Sequence, residues 1–177
     1  MTYAGFWRRF GAYLVDFIAL IPLMAVAIYG TNHSRWFQTV WLIPGALIGL
    51  WFSVHLVVRY GGTPGKLAMG TRVVMDDGSP VTRGAAMVRY SVLFTLSMLT
   101  SAALAWTALQ IPEEQYMALG FMQKSMLLTE AAPAWYKGLN IVMNVWVWSE
   151  FLTILFNKRK KALHDYIAGT VVIRKPA

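Results

Sequence analysis

A few ionisable groups sit in this chain where charge is expensive. Arg8 and Arg9 open an apolar segment, and Asp16 lies inside it. Read as a helix, Arg9, Ala12, Tyr13 and Asp16 fall on one face, at i, i+3, i+4 and i+7. At 1.5 Å per residue, Asp16 lies about 10 Å deeper than Arg9. A carboxylate inside a bilayer costs roughly 2.5–3.5 kcal/mol, so Asp16 must face protein or water and hold a partner. Helical side chains lean toward the N-terminus. Arg9 therefore leans away from Asp16, and each is expected to find a different partner. Glu150, His55 and Arg89 lie in or beside three other apolar segments, at similar depth from one membrane face. These positions predict a polar cluster of Asp16, Arg89, Glu150 and His55, with Arg9 meeting Asp165 beneath it. Such a cluster either binds a proton or cation through Asp16 and Glu150, or holds helix register by charge pairing.

Other chemistries fit poorly. The chain has no cysteine, which removes thiol catalysis, disulfides and thiolate metal sites. Gly65-Lys66 suggests a phosphate loop, but that motif needs glycine where Tyr60 stands and Ser or Thr where Leu67 stands. The His164-Asp165 doublet has no histidine or carboxylate at metal-ligand spacing. No nucleophile–base arrangement is visible, so a non-enzymatic protein without metal or cofactor is expected. The net charge of +8 gathers between apolar blocks and not on one polar face, which argues against nucleic acid as a partner.

The 177 residues, 57% of them hydrophobic, read as a single α-helical integral membrane domain over residues 1–177. Four segments, 10–29, 39–58, 90–109 and 139–156, approach or reach the ~20 residues needed to span a bilayer. Thirteen of the 16 Lys and Arg residues fall before the first span, in 59–89 or in 157–177. Positive charge stays inside. Both termini are therefore expected in the cytoplasm, with 59–89 and 157–177 as cytoplasmic segments of an inner-membrane protein. Arg8-Arg9, an apolar run and Ala25-Val26-Ala27 also fit a cleaved signal peptide, but Asp16 within the run favours a retained span.

Gly45, Gly49 and Ser53 repeat every four residues and form a helix-packing face, intramolecular or between copies. The third span carries Ser91, Thr95, Ser97, Thr100 and Ser101, read as interhelical hydrogen bonding. Between spans three and four, Met117, Phe121, Met122, Met126 and Leu127 predict an amphipathic helix on the outer surface. In Gly62-Thr63-Pro64-Gly65-Lys66, Thr63 reads as N-cap and Pro64 as first residue of a short interfacial helix that Gly70 ends. Thr71–Met75 is β-branched, and Val81-Thr82 reads as a returning strand. The Gly169-Thr170-Val171-Val172-Ile173 segment matches Gly70-Thr71-Arg72-Val73-Val74 in pattern, and the two are predicted to pair in a small cytoplasmic sheet. Lys158 to Lys161 are placed among anionic lipid headgroups, so the bilayer itself is one expected partner. A homo-oligomer or another membrane protein is the other.

Taken together, these residues resemble the RDD family of bacterial membrane proteins. The family is named for an arginine opening its first span, an aspartate within it and a second aspartate. Here those positions match Arg9, Asp16 and, through its Leu-His-Asp context, Asp165. The Gly-Gly-Thr-Pro-Gly-Lys segment with Gly-Thr-Arg-Val-Val, and the terminal Ala-Leu-His-Asp segment with Ala-Gly-Thr-Val-Val, carry the likeness over most of residues 5–174. The long outer connection and the fourth span look less family-like. The resemblance implies transport of an ion or small solute, or a scaffold role as proposed for some relatives.

Overall fold

The computed structural model describes residues 2–175. The first span is α1, Phe6–His33, with Pro22 inside it. The second begins as α2, Phe37–Leu50, passes through a π-helical segment at Trp51–His55 and ends as α3, Leu56–Tyr60. The short α4, Pro64–Ala68, follows, then β1, Thr71–Met75. The third span is α5, Arg83–Gln110. Two short helices, α6 (Glu113–Met117) and α7 (Phe121–Ala131), lead to the fourth span, α8, Ala134–Phe156. The chain closes with α9, Leu163–Ala168, and β2, Thr170–Arg174.

Each expected span lies inside a longer helix, because helical hydrogen bonding continues past the hydrocarbon into the polar ends. Among the described residues, four helices are long and apolar enough to cross a membrane. Only 11% of the most apolar window is buried within the protein for three of them, and 22% for α5. Side chains such as Ile43, Leu47, Ile141 and Trp148 stand exposed. So much contiguous apolar surface is untenable in water and requires a lipid solvent. α5 packs against α2, α8 and α9 and is the axis of the bundle.

β1 and β2 pair antiparallel, with Val73 opposite Val172 and Met75 opposite Thr170. Tyr3 bridges Ile173, and the Ala4 amide donates to the Val172 carbonyl, so the N-terminal residues extend the sheet. Val73 and Val172 sit in a core with Ala4, Val57, Val81 and Ala86, which seats the sheet against the ends of α3 and α5. The expected strand at Val81-Thr82 is absent. Only Pro80 bridges Val74 there, while the Thr82 hydroxyl caps α5 by accepting from the Ala85 amide.

At the far end of the bundle, Ala108, Ile111, Tyr116 and Leu128 form a second core under α6 and α7. Leu128 and Lys124 turn inward from α7, whereas Met122 and Met126 face out. The Lys124 ammonium donates to the carbonyls of Thr31 and Asn32 at 3.3 and 3.2 Å, and lies 4.8 Å from the Tyr116 ring centroid. It thereby satisfies carbonyls that the end of α1 leaves open.

Two local expectations are corrected. The hydroxyls of Thr100 and Thr107 donate to carbonyls one turn back in α5, and Ser91 does the same to Val88. A hydroxyl on a helix reaches its own backbone at no cost in helix spacing, so these do not link helices. A Cβ at Gly49 would lie 2.5 Å from the Tyr90 hydroxyl of α5. The small residue there accommodates an intramolecular neighbour, while Gly45 meets only Trp41 of its own helix.

Candidate functional site

The ionisable groups at the sheet end of the bundle form three partnerships: Arg9 meets Asp165 as expected, while the expected cluster of Asp16, Arg89, Glu150 and His55 is divided. The first is built on Asp165. As the third residue of α9, it reaches back to accept from the Ala162 amide at 2.9 Å, which caps the helix that carries it. Its Oδ2 also accepts from Arg9 Nη1 at 2.7 Å. Its Oδ1 pairs with Arg89 and accepts from the Thr170 hydroxyl at 3.2 Å. Arg9 donates further to the carbonyls of Lys160 and Ala4, at 2.6 and 3.3 Å, and Arg89 to Thr170 at 2.7 Å. One fully buried carboxylate thus joins α1, α5, α9 and the start of β2. Burial alone would raise its pKa, but the guanidinium of Arg89, then the neighbouring His164, then Arg9 with its charge and hydrogen bond, hold it well below the usual carboxylate range.

The second partnership belongs to Asp16. Its Oδ2 accepts from the Thr63 hydroxyl at 2.6 Å and its Oδ1 from the Gly65 amide at 2.7 Å. Thr63 starts α4 as expected, but its side chain does not cap that helix. Asp16 of α1 caps it from outside, satisfying an open amide of the first turn. The fit needs glycine, because a Cβ at Gly65 would lie 2.0 Å from the Ala12 carbonyl oxygen. Gly70 ends the short hairpin between α4 and β1 with φ +63°, and Gly169 repeats this before β2 at φ +62°. Lys66 donates to Thr63 at 3.3 Å and lies 5.4 Å from the Tyr13 ring centroid.

Glu150 and His164 form the third. Glu150 of α8 accepts from the His164 amide at 3.1 Å, and its other oxygen meets His164 Nδ1. His164 Nε2 is buried with no hydrogen-bond partner among the described residues, and lies 3.7 Å from Asp165 Oδ1. Burial pushes the His164 imidazole below its ordinary pKa, and Arg89 adds to this against the hydrogen bond and charge of Glu150 and the charge of Asp165.

Three sequence expectations are therefore revised. Asp16 does not share a cluster with Arg89, because Gly65 lets α4 press close enough to occupy the carboxylate first. His55 does not join either. The π-helical segment ends at His55, which lines a separate recess with Arg59 and Arg83. Lys161, expected among headgroups, instead turns inward to Asp76 at 2.6 Å.

A cavity of about 300 Å³ connects what remains open. Lys66, Arg89, Glu150 and His164 line it, with the hydroxyls of Tyr13, Ser53 and Thr63. A second cavity, of about 550 Å³, shares Tyr13, Ser53, Thr63, Lys66 and Tyr90 with the first and extends along α1 and α2 to Ala27 and Trp41. A third, of about 360 Å³, shares Ala27, Trp41, Gly45 and Tyr90 with the second and reaches Thr31, Gln38, Ser97 and Ser101 at the far end. Lys66, Tyr13 and Ser53 were not legible as parts of this site. Lys66 carried one signal, a cation within a Gly-rich turn following a span.

The apolar helices, the sheet tucked under one end and the charges buried between them define a multi-pass membrane protein. The RDD family model matches residues 3–169, and the chain belongs to the RDD family. It is also similar to an uncharacterized protein of Bacillus subtilis (strain 168), YckC, with 31% identity over 113 residues. That likeness covers 57% of this chain and 70% of the relative. No solved structure matches.

Proposed function

We propose that this RDD-family protein resides in the cytoplasmic membrane with both termini inside, and moves a proton or small cation without enzymatic chemistry. Glu150 and His164 are the exchanging pair in this reading, with Lys66 beside them. Asp16 and Asp165 are clamps. The observation that carries it is the row of three adjoining cavities that ends on Glu150 and His164. Glu150 is held only by His164, and His164 Nε2 is buried without a hydrogen-bond partner among the described residues, whereas the oxygens of the two aspartates are taken by groups from several elements. At the far end, Gln38 Oε1 is likewise buried without a partner among the described residues. A carboxylate–imidazole pair at one end of a cavity row and an open amide oxygen at the other are polar stations that suit a passing proton or cation. The excess of Lys and Arg on the sheet side supports the orientation.

A second reading, a membrane scaffold or accessory subunit, is favoured by the saturation of Asp16 and Asp165. Four elements converge on Asp165, as a docking platform would need.

Proton and sodium flux in proteoliposomes separates the two. Transport predicts gradient-driven flux that Glu150→Gln abolishes in a folded protein, with Asp16→Asn reducing stability more than turnover. No flux in wild type, with Glu150→Gln merely altering stability, sinks the transport reading and favours the scaffold.

A further inference from the structure

A recess of about 560 Å³ that shares no lining residue with the cavity row is lined by His55, Arg59, Arg83, Trp51, Val54 and Met87, among others. We propose that it binds the phosphate headgroup of an anionic phospholipid. This does not depend on the transport reading.

Three independent features converge there. Charge comes first. Arg59 and Arg83 are both exposed, and neither forms an ion pair among the described residues. They contrast with Arg9 and Arg89, whose guanidiniums are consumed by Asp165. A guanidinium fork matches phosphate geometry, and two of them with an imidazole beside them form an anion cradle. Arg83 is also the first residue of the 28-residue α5, whose N-terminal partial charge has the same sign.

Depth is the second feature. Arg59 directly follows an apolar span and Arg83 opens another. The recess therefore sits where hydrocarbon gives way to headgroups, with Trp51, Val54 and Met87 as an apolar wall for acyl chains. Basic pockets between membrane helices at this level suit acidic headgroups.

The third is backbone. The π-helical segment Trp51–His55 supplies Trp51, Val54 and His55 to this recess. Such segments are uncommon and are retained mostly where a site needs side chains re-aimed.

The test uses the full-length protein in detergent, titrated with phosphatidylglycerol or phosphatidylcholine and read by native mass spectrometry. Wild type is expected to retain one phosphatidylglycerol in preference to phosphatidylcholine. Arg59→Gln with Arg83→Gln should weaken that retention about tenfold or more, since about 1 kcal/mol of attraction is lost per basic residue at a lipid surface. Arg72→Gln with Arg174→Gln, which removes exposed charge from the sheet and not from the recess, should leave it near wild type. In a second measurement on wild type, a photoreactive phosphatidylglycerol should label peptides 50–59 or 83–90. Equal retention by the Arg59/Arg83 variant, equal affinity for phosphatidylcholine, labelling confined to other segments, or displacement by millimolar inorganic phosphate would each overturn the proposal. The last outcome would make the ligand a free anion.

Discussion

Replacing Asp165 with Asn keeps the shape of the side chain and removes its charge. Arg9 and Arg89 have side-chain exposures of only 5% and 8%, so both guanidiniums would be left buried without a counter-ion. Removing one partner of a buried pair costs about 3–5 kcal/mol. The remaining bonds of Arg9 to Lys160 and Ala4, and of Arg89 to Thr170, soften the loss. The expected destabilisation is therefore near the lower end, about 3 kcal/mol. For a chain of this size that is a fall in Tm of about 6–12 °C. A dye-based thermal melt in detergent would measure it. The same melt run with Arg89→Gln alone and with both changes forms a double-mutant cycle. Arg89→Gln should cost less in the Asp165→Asn background than in wild type, because its charge no longer has a partner to lose. The pH profile supplies a second check. The folded-state pKa of Asp165 lies below its unfolded value of 3.8, so its contribution is present above that pH and lost as pH falls beneath it. Asp165→Asn should flatten that acid limb. A change in Tm below about 2 °C, or strictly additive effects in the cycle, would refute the view that this carboxylate holds the sheet to the bundle.

Gly65→Ala should cost about 1–3 kcal/mol, because the new methyl meets the Ala12 carbonyl and pushes α4 off Asp16; a Tm equal to wild type would refute the close approach. Lys124→Met keeps the stem but loses two charged hydrogen bonds to the end of α1, about 1.5–3 kcal/mol. Limited proteolysis should then cut faster around residues 118–121, and an unchanged cleavage rate would argue against the tie. His164 has a folded-state pKa below its unfolded value of 6.5, so the unfolded chain binds the extra proton. Stability should therefore fall as pH drops below about 6.5, and His164→Asn should remove that slope in melts taken between pH 7 and 5.

The sequence alone was enough to establish a four-span membrane protein, because a bilayer demands long apolar runs and these cannot be disguised. It also predicted the α4 turn, the strands at Thr71–Met75 and Thr170–Arg174 and their pairing, since Pro, Gly and β-branched residues act locally. That Asp16 and Glu150 need partners follows from the cost of charge in hydrocarbon. Which partners they take does not. Asp16 meets Thr63 and Gly65, 47 and 49 positions away, because α4 folds back against α1 where a glycine lets it approach. The meeting of Arg9 with Asp165 was expected, but Arg89, 76 positions from Asp165, joins that pair and not Asp16. Side-chain type and spacing constrain a helical face, but the choice among several carboxylates and cations at one depth is made by helix packing. His55 shows this most directly: it has the right residue type at the right depth, yet it lines a separate recess with Arg59 and Arg83 and none of the three adjoining cavities.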